Sequence, residues 1–136
     1  MQIEKAKVEV LRLAAAGSPV ALIEVGGQPY VLVRRIPAPA PPWGASFHDI
    51  LIVIPVAYDA GAALDAFYLR LPYQYHEGTH NRVNGGTITY DGADWQLVSW
   101  HYADGKPYQA GVDTIEAHIE HCKGFFFNRG ATNAST

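Results

Sequence analysis

The last third of the chain constrains its fold most. Trp95-Gln-Leu-Val-Ser-Trp-His101 has the aromatic and β-branched content of a strand, and a Gly/Lys/Pro turn carries it into Gly111-Val-Asp-Thr-Ile-Glu-Ala-His-Ile119. Asp113, followed three residues on by Glu116, has the reciprocal capping pattern of a helix start. Ile115, Ile119 and Cys122 then recur at helical spacing as an apolar stripe. Gly124 offers an end, and Phe125-Phe-Phe127 is expected to pack the final turn onto a core. The single cysteine therefore belongs inside a helix rather than on a strand or loop.

Upstream, Ile3, Ala6, Val10, Leu13 and Ala14 recur every three or four residues among Glu and Lys, which predicts an amphipathic helix ended by Gly17-Ser-Pro19. Its apolar face needs a sheet to cover. Val20 to Val25 and Tyr30 to Ile36 read as a hairpin around Gly26-Gly-Gln-Pro29. Pro37-Ala-Pro-Ala-Pro-Pro42 lacks the amide donors of a strand and reads as a stiff connector to Trp43. Asp49 to Pro55 is a buried third strand and Leu64 to Leu71 a fourth, closed by Pro72. Tyr73 to Gly86 has no sustained period and is expected to be an ordered loop. Thr87 to Tyr90 and Trp95 to Tyr102 then form a short strand pair around Asp91-Gly-Ala-Asp94.

With 136 residues, 49% of them hydrophobic, the chain has enough apolar material for one core, so a single domain over 1–127 and a flexible tail over 128–136 are expected. A net charge of −3 without a basic run argues against nucleic acid as a partner. The most apolar run, Ile50 to Val56, is far shorter than the roughly 20 residues a bilayer demands, so no membrane partner is expected either. Met1-Gln-Ile-Glu-Lys-Ala-Lys7 has mixed charge and no signal-peptide core, which points to a cytoplasmic protein.

Four groups of residues bear on chemistry. His76-Glu77-Gly78-Thr79-His80 matches the H-E-x-x-H pattern, in which a helix sets two imidazoles on one face with a glutamate beside the metal-bound water. Gly78 at its centre and Pro72 and Asn84-Gly-Gly86 around it argue for a surface loop instead. A zinc metallopeptidase, with His101 as third ligand, is the alternative enzyme reading. His118, His121 and Cys122 share the last helix, yet a structural zinc site wants four ligands and nothing nearby supplies the rest. The plainer reading makes His121 solvated, His118 a residue flanking the packing face and Cys122 a small core residue with a protonated, inaccessible thiol. No metal and no cofactor are expected.

Ser99 and His101, two apart on a strand, share a face and could act as nucleophile and base; the plainer reading has them satisfying hydrogen bonds at a strand edge. Trp43, Trp95, Trp100, Tyr102 and Tyr108 are an aromatic set for core packing, with Trp95, Trp100 and Tyr102 as candidates for partner binding.

The order of helix, four strands, long loop, short strand and helix resembles the ubiquitin-conjugating-enzyme (UBC) superfamily, and within it the prokaryotic branch called family E. The markers are Gly26-Gly27 with Tyr30-Val-Leu-Val33, Asp49-Ile-Leu-Ile-Val-Ile-Pro55 with Tyr58 and Asp59, Phe67-Tyr-Leu69, Trp95-Gln96, Ser99, His101 and the helix start Gly111 to His118. The resemblance implies an α+β, UBC-like fold: an N-terminal helix on a four-stranded antiparallel meander, then an active-site loop and a C-terminal helix. It also implies partners, namely a ubiquitin-like or multi-ubiquitin protein and an adenylating, activating-enzyme-like protein. The superfamily's His-Pro-Asn signature is absent, and counting back from the helix start puts the usual cysteine near Val98 to Trp100, where this chain has Ser99. Cys122 is too far downstream to replace it. Either Ser99, with His101 as base, carries an oxyester, or the domain is a scaffold without transfer chemistry.

Overall fold

The structure is a computed structural model and describes residues 3–40, 42–44, 46–76, 78, 80–100 and 114–127. Helix α1 (Glu4–Ala15) leads into strands β1 (Val20–Val25), β2 (Gln28–Pro37) and β3 (Phe47–Val53). A 3-10 turn (Tyr58–Ala60) precedes β4 (Phe67–Arg70), β5 (Val83–Tyr90) and β6 (Ala93–Val98), and helix α2 (Ile115–Phe127) follows. Among the described residues the six strands form one antiparallel sheet in the order β1-β2-β3-β4-β6-β5. The expected four-stranded meander is thus present but extended: the β5–β6 hairpin docks on β4 through β6, with Phe67 opposite Val98 and Arg70 opposite Trp95.

Two hairpins have two-residue turns whose central residues both carry positive φ. These are Gly26 and Gly27 (57° and 85°) and Asp91 and Gly92 (55° and 72°), the geometry whose twist matches the flanking strands. Between β2 and β3 the ladder slips at Val33/Ile36, so that Arg34 and Arg35 together oppose Asp49. Arg35 takes φ 60° there, and the carboxylate of Asp49 accepts its amide at 2.9 Å.

Side chains alternate across the sheet. One face, with Val31, Val33, Ile50, Ile52, Phe67 and Leu69, packs against both helices in the main core. The other carries a smaller cluster of Tyr30, Leu32, Leu51 and Trp95. At its start, α1 has no side-chain cap of its own. Asp59, more than fifty residues downstream, accepts the Glu4 and Lys5 amides at 2.9 and 3.1 Å and so supplies the cap from the 3-10 turn.

Several expected boundaries move. The fourth strand is shorter than Leu64 to Leu71, because Leu64 is core-filling but unpaired in the ladder. The Tyr73 to Gly86 loop gives up Val83 onward to β5, whose Val83 pairs with Val98. Strand β6 stops at Val98. Gly124 does not end α2: it lies mid-helix with the Trp100 ring 3.7 Å from where its Cβ would stand, and the three phenylalanines continue the helix. The Thr114 hydroxyl accepts the Ala117 amide at 3.2 Å and caps the helix; Asp113 lies outside the described residues, as does the 128–136 tail.

Candidate functional site

Ser99 stands one residue past the end of β6, where the strand register would have continued toward α2. Its amide donates to the Arg82 carbonyl at 2.7 Å, which holds the main chain against the start of β5. Its hydroxyl donates to Asn84 Oδ1 at 2.7 Å, and Asn84 Nδ2 in turn donates to the Asn81 carbonyl at 3.1 Å. The ladder between β5 and β6 is irregular here, between Val83 and Thr87, and Gln96 Nε2 spans the gap to the Gly85 carbonyl at 3.0 Å. A Cβ on Gly85 would lie 2.6 Å from Leu97 Cβ, so only glycine allows β5 to come this close.

A carboxamide oxygen accepts a hydrogen bond but does not take up the proton at neutral pH, so Asn84 positions the Ser99 hydroxyl without activating it. His101 and Tyr102 lie outside the described residues. Asn84 had no signal in the sequence beyond its Asn-Gly turn character. It joins Ser99 only because the β5–β6 hairpin folds back.

Trp95 is 1% exposed, and its indole N–H donates to the Tyr90 carbonyl at 3.0 Å. Trp100 is also buried, donates to the His121 carbonyl at 2.9 Å and packs edge-on against Phe125. The two indoles brought forward for partner binding are thus engaged with their own chain, Trp95 on one face of the sheet and Trp100 against α2.

Cys122 is fully buried on α2. Burial, and after it the charge of Asp65, pushes the thiol well above its ordinary pKa. His118 is also fully buried, deeper than the flanking position expected of it, while His121 is half-buried with its ring stacked on that of His118.

The segment around His76 and His80 is not a helix: Gly78 has φ 89° and pairs in an isolated bridge with Tyr75, which also bridges Trp43. His80 is a core residue. Its ring stacks on Trp43 and contacts Phe125, its Nδ1 accepts the Arg82 amide at 3.0 Å, and its own amide donates to the Tyr73 hydroxyl. Burial, and then the neighbouring Arg82 charge, lower its pKa to about 4. Glu77 lies outside the described residues. Among the described residues no three His, Cys, Asp or Glu side chains gather as metal donors.

The start of α2 is tied to α1 by Glu9. One carboxylate oxygen accepts the Ile115 amide at 2.7 Å and the other the Tyr58 hydroxyl at 2.8 Å. Glu9 thus sets its carboxylate at the N-terminal end of α2, where the helix dipole favours an anion.

A helix, a six-stranded antiparallel sheet and a second helix make the described residues an α+β domain, the architecture expected of a conjugating-enzyme-like protein. The family described as prokaryotic E2 family E matches residues 7–126, nearly the whole chain, and the protein belongs to that family. Membership makes it an E2-like component of prokaryotic ubiquitin-like conjugation. Neither the curated proteins nor the solved structures provide a match. Among the described residues no helix is long and apolar enough to cross a membrane.

Proposed function

We propose that the chain serves its conjugation pathway as a non-catalytic scaffold, binding a ubiquitin-like or multi-ubiquitin protein, or the adenylating enzyme that activates it, without carrying either covalently. The observation that carries this reading is the state of Cys122. It is the only cysteine in the chain, and it is sealed in the core with its thiol protonated. A thioester needs an accessible thiolate. Ser99 supports the same reading, because the group bonded to its hydroxyl is an amide that cannot serve as a base.

Titration calorimetry with the ubiquitin-like protein and with the adenylating enzyme of the same genome tests it. Binding to one of them is expected, unchanged by Ser99→Ala or Cys122→Ala. A covalent adduct that forms with ATP, resists thiols, is cleaved by hydroxide and disappears in Ser99→Ala would replace the scaffold by a serine oxyester carrier.

A further inference from the structure

The two edges of the sheet are protected very differently. At β5 the edge is blunted by the irregularity between Val83 and Thr87, with Gly85 and Gly86 inside it and exposed Thr87 and Thr89 beyond. At β1 the edge is Val-Ala-Leu-Ile-Glu-Val, six residues in unbroken register with β2. It has no proline, lysine or bulge, and of the devices that keep an edge strand from pairing with another chain it carries only the charge of Glu24.

The backbone groups on that edge can be counted. The Arg34 amide donates to the Pro19 carbonyl at 2.9 Å, so Ala21, Ile23 and Val25 also turn their backbone groups toward β2. Val20, Leu22 and Glu24 turn theirs outward. The Val20 amide is met by the Ser18 carbonyl, but among the described residues no strand meets the amides of Leu22 and Glu24 or the carbonyls of all three. Four of the six side chains are aliphatic and larger than alanine, and Glu24 is the only charge.

We propose that a second copy of this chain pairs on β1, antiparallel and about a two-fold axis through Leu22, joining the two sheets into one. That register sets every outward-facing residue opposite another: Leu22 against Leu22 of the second copy, and Val20 against Glu24. It also sets Glu24 against an aliphatic residue rather than against itself, so the strand's one charge meets no like charge. Residues directly opposite in an antiparallel ladder point to the same face, so both helical layers lie on the same side of the joined sheet and α1 meets its counterpart across the axis. The flank of α1 turned that way is the one opposite Glu9 and Arg12, which line the groove toward α2. It carries Ala14, Leu11 and Lys7; Leu11 is 69% exposed, and the Lys7 ammonium is paired with Glu4 of its own helix at 3.1 Å. The contact is one short strand and one helix flank, small beside the roughly 1,600 Å² of a standard interface, so the dimer depends on concentration. Ser99 follows β6, near the opposite edge, and stays open in the dimer.

Sedimentation equilibrium from low micromolar to near-millimolar protein tests the pairing. The mass of the intact chain is expected to rise from 14.9 kDa toward twice that value. Glu24→Pro is the informative variant. The Glu24 amide faces outward and makes no bond to β2, so proline blocks the edge while leaving the hairpin bonded. It is expected to remain monomeric throughout with an unchanged circular dichroism spectrum. Hydrogen exchange on the unaltered chain reads the same pairing without a substitution. The Leu22 and Glu24 amides should slow at least about tenfold between dilute and concentrated samples, while the Thr87 and Thr89 amides do not. A monomer at every concentration, or a dimer that leaves Leu22 and Glu24 exchange unchanged, overturns the proposal.

Discussion

Glu9 is the most informative single residue to remove. Its carboxylate is half-buried and accepts two hydrogen bonds, one from the first amide of α2 and one from the Tyr58 hydroxyl, and so ties both helices to the turn after β3. Hydrogen bonds to a charged group contribute about 1.5–3 kcal/mol each, and partial exposure puts these two near the lower end. Glu9→Ala should therefore cost about 3 kcal/mol. Glu9→Gln should cost only about 1 kcal/mol, because the carboxamide oxygen still accepts the Ile115 amide while its NH2 donates to Tyr58. What it loses is the charge at the α2 N-terminus. At roughly 4 °C per kcal/mol for a domain of this length, thermal unfolding followed by circular dichroism should show Tm falling by about 12 °C and about 4 °C. In a double-mutant cycle with Tyr58→Phe, the two residues should couple by about 1 kcal/mol. An alanine variant within about 0.5 kcal/mol of the parent, or a glutamine variant as unstable as the alanine one, would refute the claim that Glu9 anchors the second helix.

Acid should destabilise the domain through His80. Its folded pKa of about 4 lies below the ordinary imidazole value, so folding favours the neutral form. The contribution is complete above about pH 6.5 and is lost as pH falls toward 4, at most about 3 kcal/mol. Urea titrations should find this slope reduced in His80→Gln, and an unchanged slope would contradict it. Native protein should react with a thiol reagent only on the unfolding timescale and release one equivalent in denaturant, since Cys122 is sealed. Rapid native labelling would contradict that burial. Gly85→Ala, which forces a Cβ to within 2.6 Å of Leu97, should cost about 1–3 kcal/mol by denaturant melting. An alanine variant as stable as the parent would mean that β5 does not approach β6 so closely.

Much of the layered fold was legible because local chemistry and tertiary environment agree there. The apolar period of α1, the Gly26-Gly27 turn and the continuous apolar runs of β2 and β3 all follow from residues close in sequence. The boundaries that moved are those set by distant partners. Gly124 sits inside a helix whose next residues, Phe125 and Phe126, are buried in the core, and Val83 becomes a strand residue because Val98 pairs with it. Ser99 was readable as a candidate, but its partner Asn84 and the Glu9 link to α2 were not. Each joins residues far apart along the chain, and no spacing encodes it. His80 shows a different miss: the metal motif is legible and its surroundings point to a surface loop, yet the aromatic neighbours Trp43 and Phe125 make the histidine part of the core.

The most direct test of a scaffold without a thioester is intact-mass spectrometry of the chain after incubation with ATP, the adenylating enzyme and the ubiquitin-like protein of the same genome. The chain is expected to keep its unmodified mass under native quenching while still co-purifying with its partner. An adduct released by a reducing thiol and absent in Cys122→Ala would contradict the account at its centre, because it would require the buried sulfur of α2 to open and react.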